Sequence, residues 1–149
     1  MSVEISSILP TLADCIAEDC LLVFINSAIA DLKINIAKKF NKIPDLWKPR
    51  VIAEMNNYQF KLAKVKDEFI WHSHDDTDEV FLVIQGSLVI YFRTHEVELR
   101  KGEMYVVPKG VEHKPYAKEE CQIMLIEPKG VVNTGSKRNQ FTADNDVWI

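Results

Sequence analysis

Between Arg50 and Pro128 the chain runs through short apolar stretches, VIAEM, YQFKLAKV, FIWHSH, EVFLVIQ, SLVIYF, EVEL, MYVVP and QIMLIE, each closed by polar or glycine-containing residues. Runs of this length, rich in Val, Ile, Phe and Tyr, predict about eight β-strands. Nothing in this part reads as a long helix, so the crossovers that a parallel sheet requires are missing. A sheet folded on itself, as a sandwich or a jelly-roll barrel, is the economical architecture.

Residues 1–44 have another texture. Leu12, Ile16, Ala17 and Cys20, then Ile25, Ile29, Leu32 and Ile36, recur near helical spacing without internal Gly or Pro, which predicts a helical N-terminal extension. Thr11 after Pro10 suits a helix start, while LLVFI at 21–25 is equally compatible with a short strand. After Pro128 the tail is turn-rich and ends on Val147, Trp148 and Ile149, an apolar patch expected to pack on the barrel or on a partner. The expected division is a helical extension at 1–44, a β-barrel at 45–128 and a docking tail at 129–149.

A length of 149 residues suits one core, and 47% apolar with 27% charged residues matches a folded chain. The net charge of −4, with lysines scattered along the chain, leaves no basic footprint for nucleic acid or anionic lipid. The three cysteines, Cys15, Cys20 and Cys121, do not form a disulfide pattern and point to a reducing cytoplasm. The run from Cys20 to Ala30 is broken by Asn26, is too short to span a bilayer and follows no basic segment. Neither an export signal nor a membrane partner is expected.

The chemistry concentrates in WHSHDDTDE, which holds two of the four histidines. In an extended segment, alternate side chains leave the same face, so His72 and His74 can converge on one point. Asp75, Asp76 and Asp78 read as a solvated turn that brings Glu79 back toward them. His113 follows a strand held between Gly102 and Pro108-Lys109-Gly110. An HxH pair alone is equally compatible with two structural histidines; three imidazoles and a carboxylate form a ligand set for Mn, Fe, Co, Ni or Zn.

These two stretches resemble the signature motifs of the cupin superfamily. His72, His74, Glu79 and Gly86 fall in the first, G(x)5HxH(x)3–4E(x)6G; Gly102, Pro108, Gly110 and His113 fall in the second, G(x)5PxG(x)2H(x)3N. Lys66 replaces the opening glycine of the first, with Asp67 as a candidate turn residue, and Ala117 replaces the closing asparagine of the second. Neither position is a metal ligand in the family.

The resemblance implies a mostly β, double-stranded β-helix (jelly-roll) cupin barrel. It implies one divalent transition metal, Fe, Mn, Ni or Zn, held by His72, His74, Glu79 and His113. The expected relatives are small single-domain cupins, often labelled mannose-6-phosphate-isomerase-like, a label that speaks for fold more than activity.

The expected function is therefore a metal-binding cupin that acts on or binds a small polar molecule, with isomerase-like or oxygenase-like chemistry. The alternatives are a non-catalytic sensory or small-molecule-binding module, or a dimerisation scaffold. Small cupins commonly pair, so a homodimer is expected. His95 has no partner spacing and reads as exposed, Cys121 as a buried small hydrophobe, and Lys61, Lys64 and Lys66 as one exposed strand surface, one of which could instead face the pocket. Tyr58, Phe60, Trp71, Phe81, Tyr91 and Tyr105 read mostly as core, with one or two at the barrel mouth.

Overall fold

Alternation along the strands decides what faces the barrel interior. In the computed structural model, which describes residues 33–149, seven strands follow one short helix. The helix, α1 (Ile36–Phe40), starts at Asn35, whose side chain accepts from Lys38 N at 3.0 Å. The strands are β1 (Arg50–Met55), β2 (Tyr58–Glu68), β3 (Glu79–Gln85), β4 (Ser87–Phe92), β5 (Glu96–Arg100), β6 (Met104–Val107) and β7 (His113–Pro128). The helical periodicity expected over residues 1–32, with Cys15 and Cys20, lies outside the described residues.

All ladders are antiparallel. The 16-residue β7 organises them. One of its edges carries β2, from Tyr58 opposite Pro128 to Glu68 opposite Tyr116; the other carries β4 on its first part and β3 on its second. With β1 beyond β2, β6 beyond β3 and β5 beyond β4, the sheet closes over itself. The expected jelly roll is the fold.

Two differences from the sequence expectation have physical causes. The run FIWHSH forms no strand of its own. Phe69 N donates to Pro115 O, but Pro115 has no N–H to return, and the segment meets β7 again through one bridge between His72 and His113. The run QIMLIE is the second half of a longer strand whose first half, HKPYAKEE, buries His113, Pro115 and Ala117 and exposes Lys118, Glu119 and Glu120. Eight expected strands are thus seven and a bridge.

Inside the barrel, Ala63, Val65, Phe81, Val83, Leu88, Ile90, Ile123 and Leu125 pack with Trp47 and Phe69 into the main core. On the outer face, Phe40 of α1 and Ile43 just after it cover Ile52, Leu62 and Met124. The tail is anchored as well. Asn133 donates to the carbonyls of Trp47 and Phe141 and accepts from Ala143 N, while Val51 exchanges backbone bonds with Val147 and Ile149. Phe141 reaches the main core at Phe69, with ring centroids 5.4 Å apart.

Candidate metal centre

The HxH segment is aimed by a break in β2. Asp67 adopts a left-handed backbone (φ +60°) where the β2–β7 register shifts, so the turn is made without the glycine that Lys66 replaces. From there the chain runs extended along β7. His72 and His113 exchange both backbone bonds, at 3.0 and 2.9 Å, and their rings stand 4.3 Å apart.

The acidic loop is closed onto the second motif. Asp78 Oδ1 accepts from Lys109 N at 2.8 Å, and Gly110 N donates to His74 O at 2.7 Å. Gly110 meets this contact with φ +74°, a conformation easy for glycine. Asp75 and Asp76 are exposed, as a solvated turn should be. The chain then re-enters the barrel at Glu79, which shares the inward face of β3 with Phe81 and Val83.

His72, His74, Glu79 and His113 are all buried, at 1, 6, 3 and 1% exposure. Glu79 Oε2 lies 3.2 Å from His113 Nε2 and 3.3 Å from His74 Nε2. These are separations expected of neighbouring ligand atoms around an ion with bonds of about 2.0–2.2 Å. The donors form two overlapping groups, His72–Glu79–His113 and His74–Glu79–Glu127, each with its ligand atoms within 4.8 Å of one another.

Hydrogen bonding fits these groups to a cation. His72 Nδ1 lies 3.0 Å from Ile70 O, and His113 Nδ1 lies 3.0 Å from Val111 O. A carbonyl can only accept, so both Nδ1 atoms carry hydrogen, and in the neutral rings the Nε2 lone pairs face the site. His74 Nε2 has no hydrogen-bond partner. Lone pairs and a carboxylate gathered out of water repel one another unless a positive charge stands among them.

The electrostatics agree. Burial pushes His72 down to about 4, with the nearby His113 adding to the effect, so the ring is neutral at pH 7. Burial acts to raise Glu79, but the His113 and His74 rings beside it outweigh that and hold the carboxyl well below the usual range. Burial likewise acts to lower His74, and its pairing with Glu79 reverses the direction. A divalent cation among these groups would answer the Glu79 charge.

Two spaces adjoin the donors. A cavity of about 30 Å³, bounded by Trp47, Val65, Phe69, His72, Glu79 and Phe81 among others, has room for a water-sized species between mostly apolar walls. On the other side, a depression of about 260 Å³ opens to solvent between the segment Ser73–Thr77 and the tail at Val131, Val132, Gly135 and Ser136. No lysine or arginine lines it.

Lys61 corrects the expected lysine surface. It lies on the inward face of β2 with Gln59, Ala63 and Val65, whereas Lys64 and Lys66 are one residue out of phase and face outward. Its ammonium pairs with Glu127 at 2.9 Å, with side-chain exposures of 3 and 1%. Burial and the Glu79 charge raise the Glu127 carboxyl, and Lys61 opposes them. The alternative that one of the three lysines faces inward holds for Lys61, whereas Glu127, Trp47 and Phe69 did not stand out in the sequence as site residues. Strand alternation was the available signal for Lys61.

The remaining residues fall as follows. Of the six aromatics singled out above, Phe81 is buried and lines the cavity, Tyr58 is exposed, and the other four are half-buried. His95 is exposed and stacks on Phe92, and Cys121 is buried with its thiol pushed up to about 11 by burial.

Residues 59–127 match the family described as the cupin domain. A cupin-2 domain containing protein from Shewanella frigidimarina, known by crystal structure, is 60% identical; the likeness covers 68% of this chain and 99% of that one, with a TM-score of 0.67. This chain belongs to the cupin superfamily. Among curated proteins, the cupin is 38% identical over 79 residues to the uncharacterized protein YdbB of Bacillus subtilis, covering 52% of this chain and 70% of the relative. It is also 24% identical over 106 residues to a putative dioxygenase, SSO1533, of Saccharolobus solfataricus; that alignment covers 69% of this chain but 28% of the relative. No helix among the described residues is long and apolar enough to cross a membrane.

Proposed function

We propose that this cupin holds one divalent transition metal ion through His72, His74, Glu79 and His113, and uses it to bind and transform a small polar molecule with oxygenase-like chemistry. The observation that carries the reading is the buried cluster of imidazole lone pairs around Glu79. When bound, the cation would supply Lewis-acid polarisation of a substrate oxygen or, as Fe, redox capacity toward dioxygen.

The chain's own contributions follow from its side chains. The carbonyls of Ile70 and Val111 fix the tautomers of His72 and His113, so the donor nitrogens need no rearrangement. Trp47, Phe69 and Phe81 form apolar walls of the cavity beside His72 and Glu79. Its size and apolar walls suit a diatomic molecule better than a sugar, which favours the oxygenase branch. A phosphosugar would meet Asp75 and Asp76 at the open depression with no lysine or arginine lining it, which disfavours the isomerase branch. The relative named as a putative dioxygenase lends the same direction.

The test is oxygen uptake by Fe-loaded protein with thiols, diketones and catechols, beside Zn- or Mn-loaded protein with phosphosugars. Oxygen consumption coupled to loss of one substrate supports the reading. Phosphosugar turnover would replace it with the isomerase branch, and silence in both panels with a ligand detected by thermal shift would replace it with a binding module. A cytoplasmic homodimer completes the reading. Met104 and Val106, exposed on the outer face of β6, suit a second copy, and light scattering from a monomer at micromolar concentration would contradict the pairing.

A further inference from the structure

Glu127 is bound at one oxygen and orphaned at the other. Its Oε1 accepts from Lys61 Nζ, which also donates to Val131 O at 3.3 Å. Its Oε2 is buried without a hydrogen-bond partner, and so is His74 Nε2. One ligand atom each from Glu127, His74 and Glu79 lies within 4.8 Å of the others. Leaving a buried acceptor such as Glu127 Oε2 unsatisfied costs on the order of 1–3 kcal/mol, and a cation among Glu127, His74 and Glu79 would satisfy it.

We infer that Glu127 joins His74 and Glu79 as a donor at the metal centre and that Lys61 is a positioning residue, holding the Glu127 carboxylate toward them. This inference rests on the metal-binding reading above. Lys61 has two opposed effects on the ion: it orients a donor, and it places a positive charge next to a positive charge. The ammonium is buried 2.9 Å from Glu127, so an ion on the same carboxylate would be repelled by it with little water between the two charges. Removing the ammonium therefore strengthens metal binding, while removing the Glu127 charge weakens it.

The test titrates the full-length protein with Co(II) alone and reads both affinity and the visible ligand-field spectrum. Glu127→Gln is expected to weaken Co(II) binding at least tenfold and to change the spectrum through loss of an oxygen donor. Lys61→Met is expected to tighten binding several-fold with the wild-type spectrum. Should either single variant fail to fold, the double variant Lys61→Met/Glu127→Gln, which removes both buried charges, carries the test and is expected to match the weakened affinity and altered spectrum. A purely structural ion pair would lower the melting temperature of each single variant without moving affinity or spectrum. Wild-type affinity and spectrum in Glu127→Gln, or in the double variant, overturns the inference alone. Failure of the unmodified protein to bind Co(II) overturns the metal-binding reading beneath it.

Discussion

His72 and His113, 41 residues apart in sequence, are locked face to face by two backbone hydrogen bonds of 3.0 and 2.9 Å. The bridge fixes the main chain, and the bonds from each Nδ1 to Ile70 O and Val111 O fix the rings. Truncating either ring should therefore remove a donor without removing the bridge. His72→Ala and His113→Ala are each expected to lose stoichiometric metal while keeping the β-rich circular dichroism of the parent. Metal retained at the parent level in either variant would remove that residue from the ligand set.

Phe69 stacks on Trp47 at 4.8 Å and meets the His72 ring edge-on at 5.2 Å. It is buried at 7% exposure, and its removal would enlarge the cavity beside His72. Phe69→Ala is expected to cost about 3–5 kcal/mol of stability, measured by urea unfolding. A loss under about 1 kcal/mol would mean that this wall does not pack as described.

Gly135 brings the tail against the HxH segment. A Cβ placed there would stand 2.0 Å from Ser73 O, and the residue has φ +58°. Gly135→Ala is expected to push the tail off the segment and to expose 129–149 to proteolysis, with a stability loss of at least about 1 kcal/mol. Unchanged cleavage and an unchanged melting temperature would show that the tail does not press on Ser73.

Burial raises the Cys121 thiol from 9.0 to about 11. A group whose folded value is raised favours the fold fully below its unfolded value and loses that contribution as pH rises through the folded value. The thiol's share of stability should therefore be intact below pH 9 and decline toward pH 11. At pH 8 iodoacetamide is expected to leave Cys121 unmodified in the native protein and to alkylate it after denaturation, read by mass spectrometry of the Cys121 peptide. Rapid native labelling would contradict its burial.

The parts legible in the sequence were those governed by local period and turn chemistry. Alternation placed His72 and His74 on one side, and Gly86, Gly102 and Gly110 punctuated strands at the expected places; all three have positive φ. Gly86 has a further reason, since a Cβ there would meet Cys121 Cα at 3.1 Å. Long-range pairing was less visible. Lys61 looks like its neighbours Lys64 and Lys66 until Glu127, 66 residues later, answers its charge inside the barrel.

The strand β7 illustrates a second limit. Lys114, Pro115 and the acidic pair Glu119-Glu120 interrupt any apolar period, yet β4 pairs with His113–Tyr116 and β2 with Tyr116, Ala117 and the strand from Cys121 onward. FIWHSH has the composition of a strand, but Pro115 removes the return bond it would need. The tail carries no period, and its path depends on the three bonds made by Asn133.

The central claim is that the cluster around Glu79 exists to hold a cation. Elemental analysis of protein purified without an affinity tag addresses it directly. Close to one transition metal ion per chain is expected, or uptake to that level on adding Fe, Mn, Ni or Zn. A protein that contains none and takes up none would contradict it.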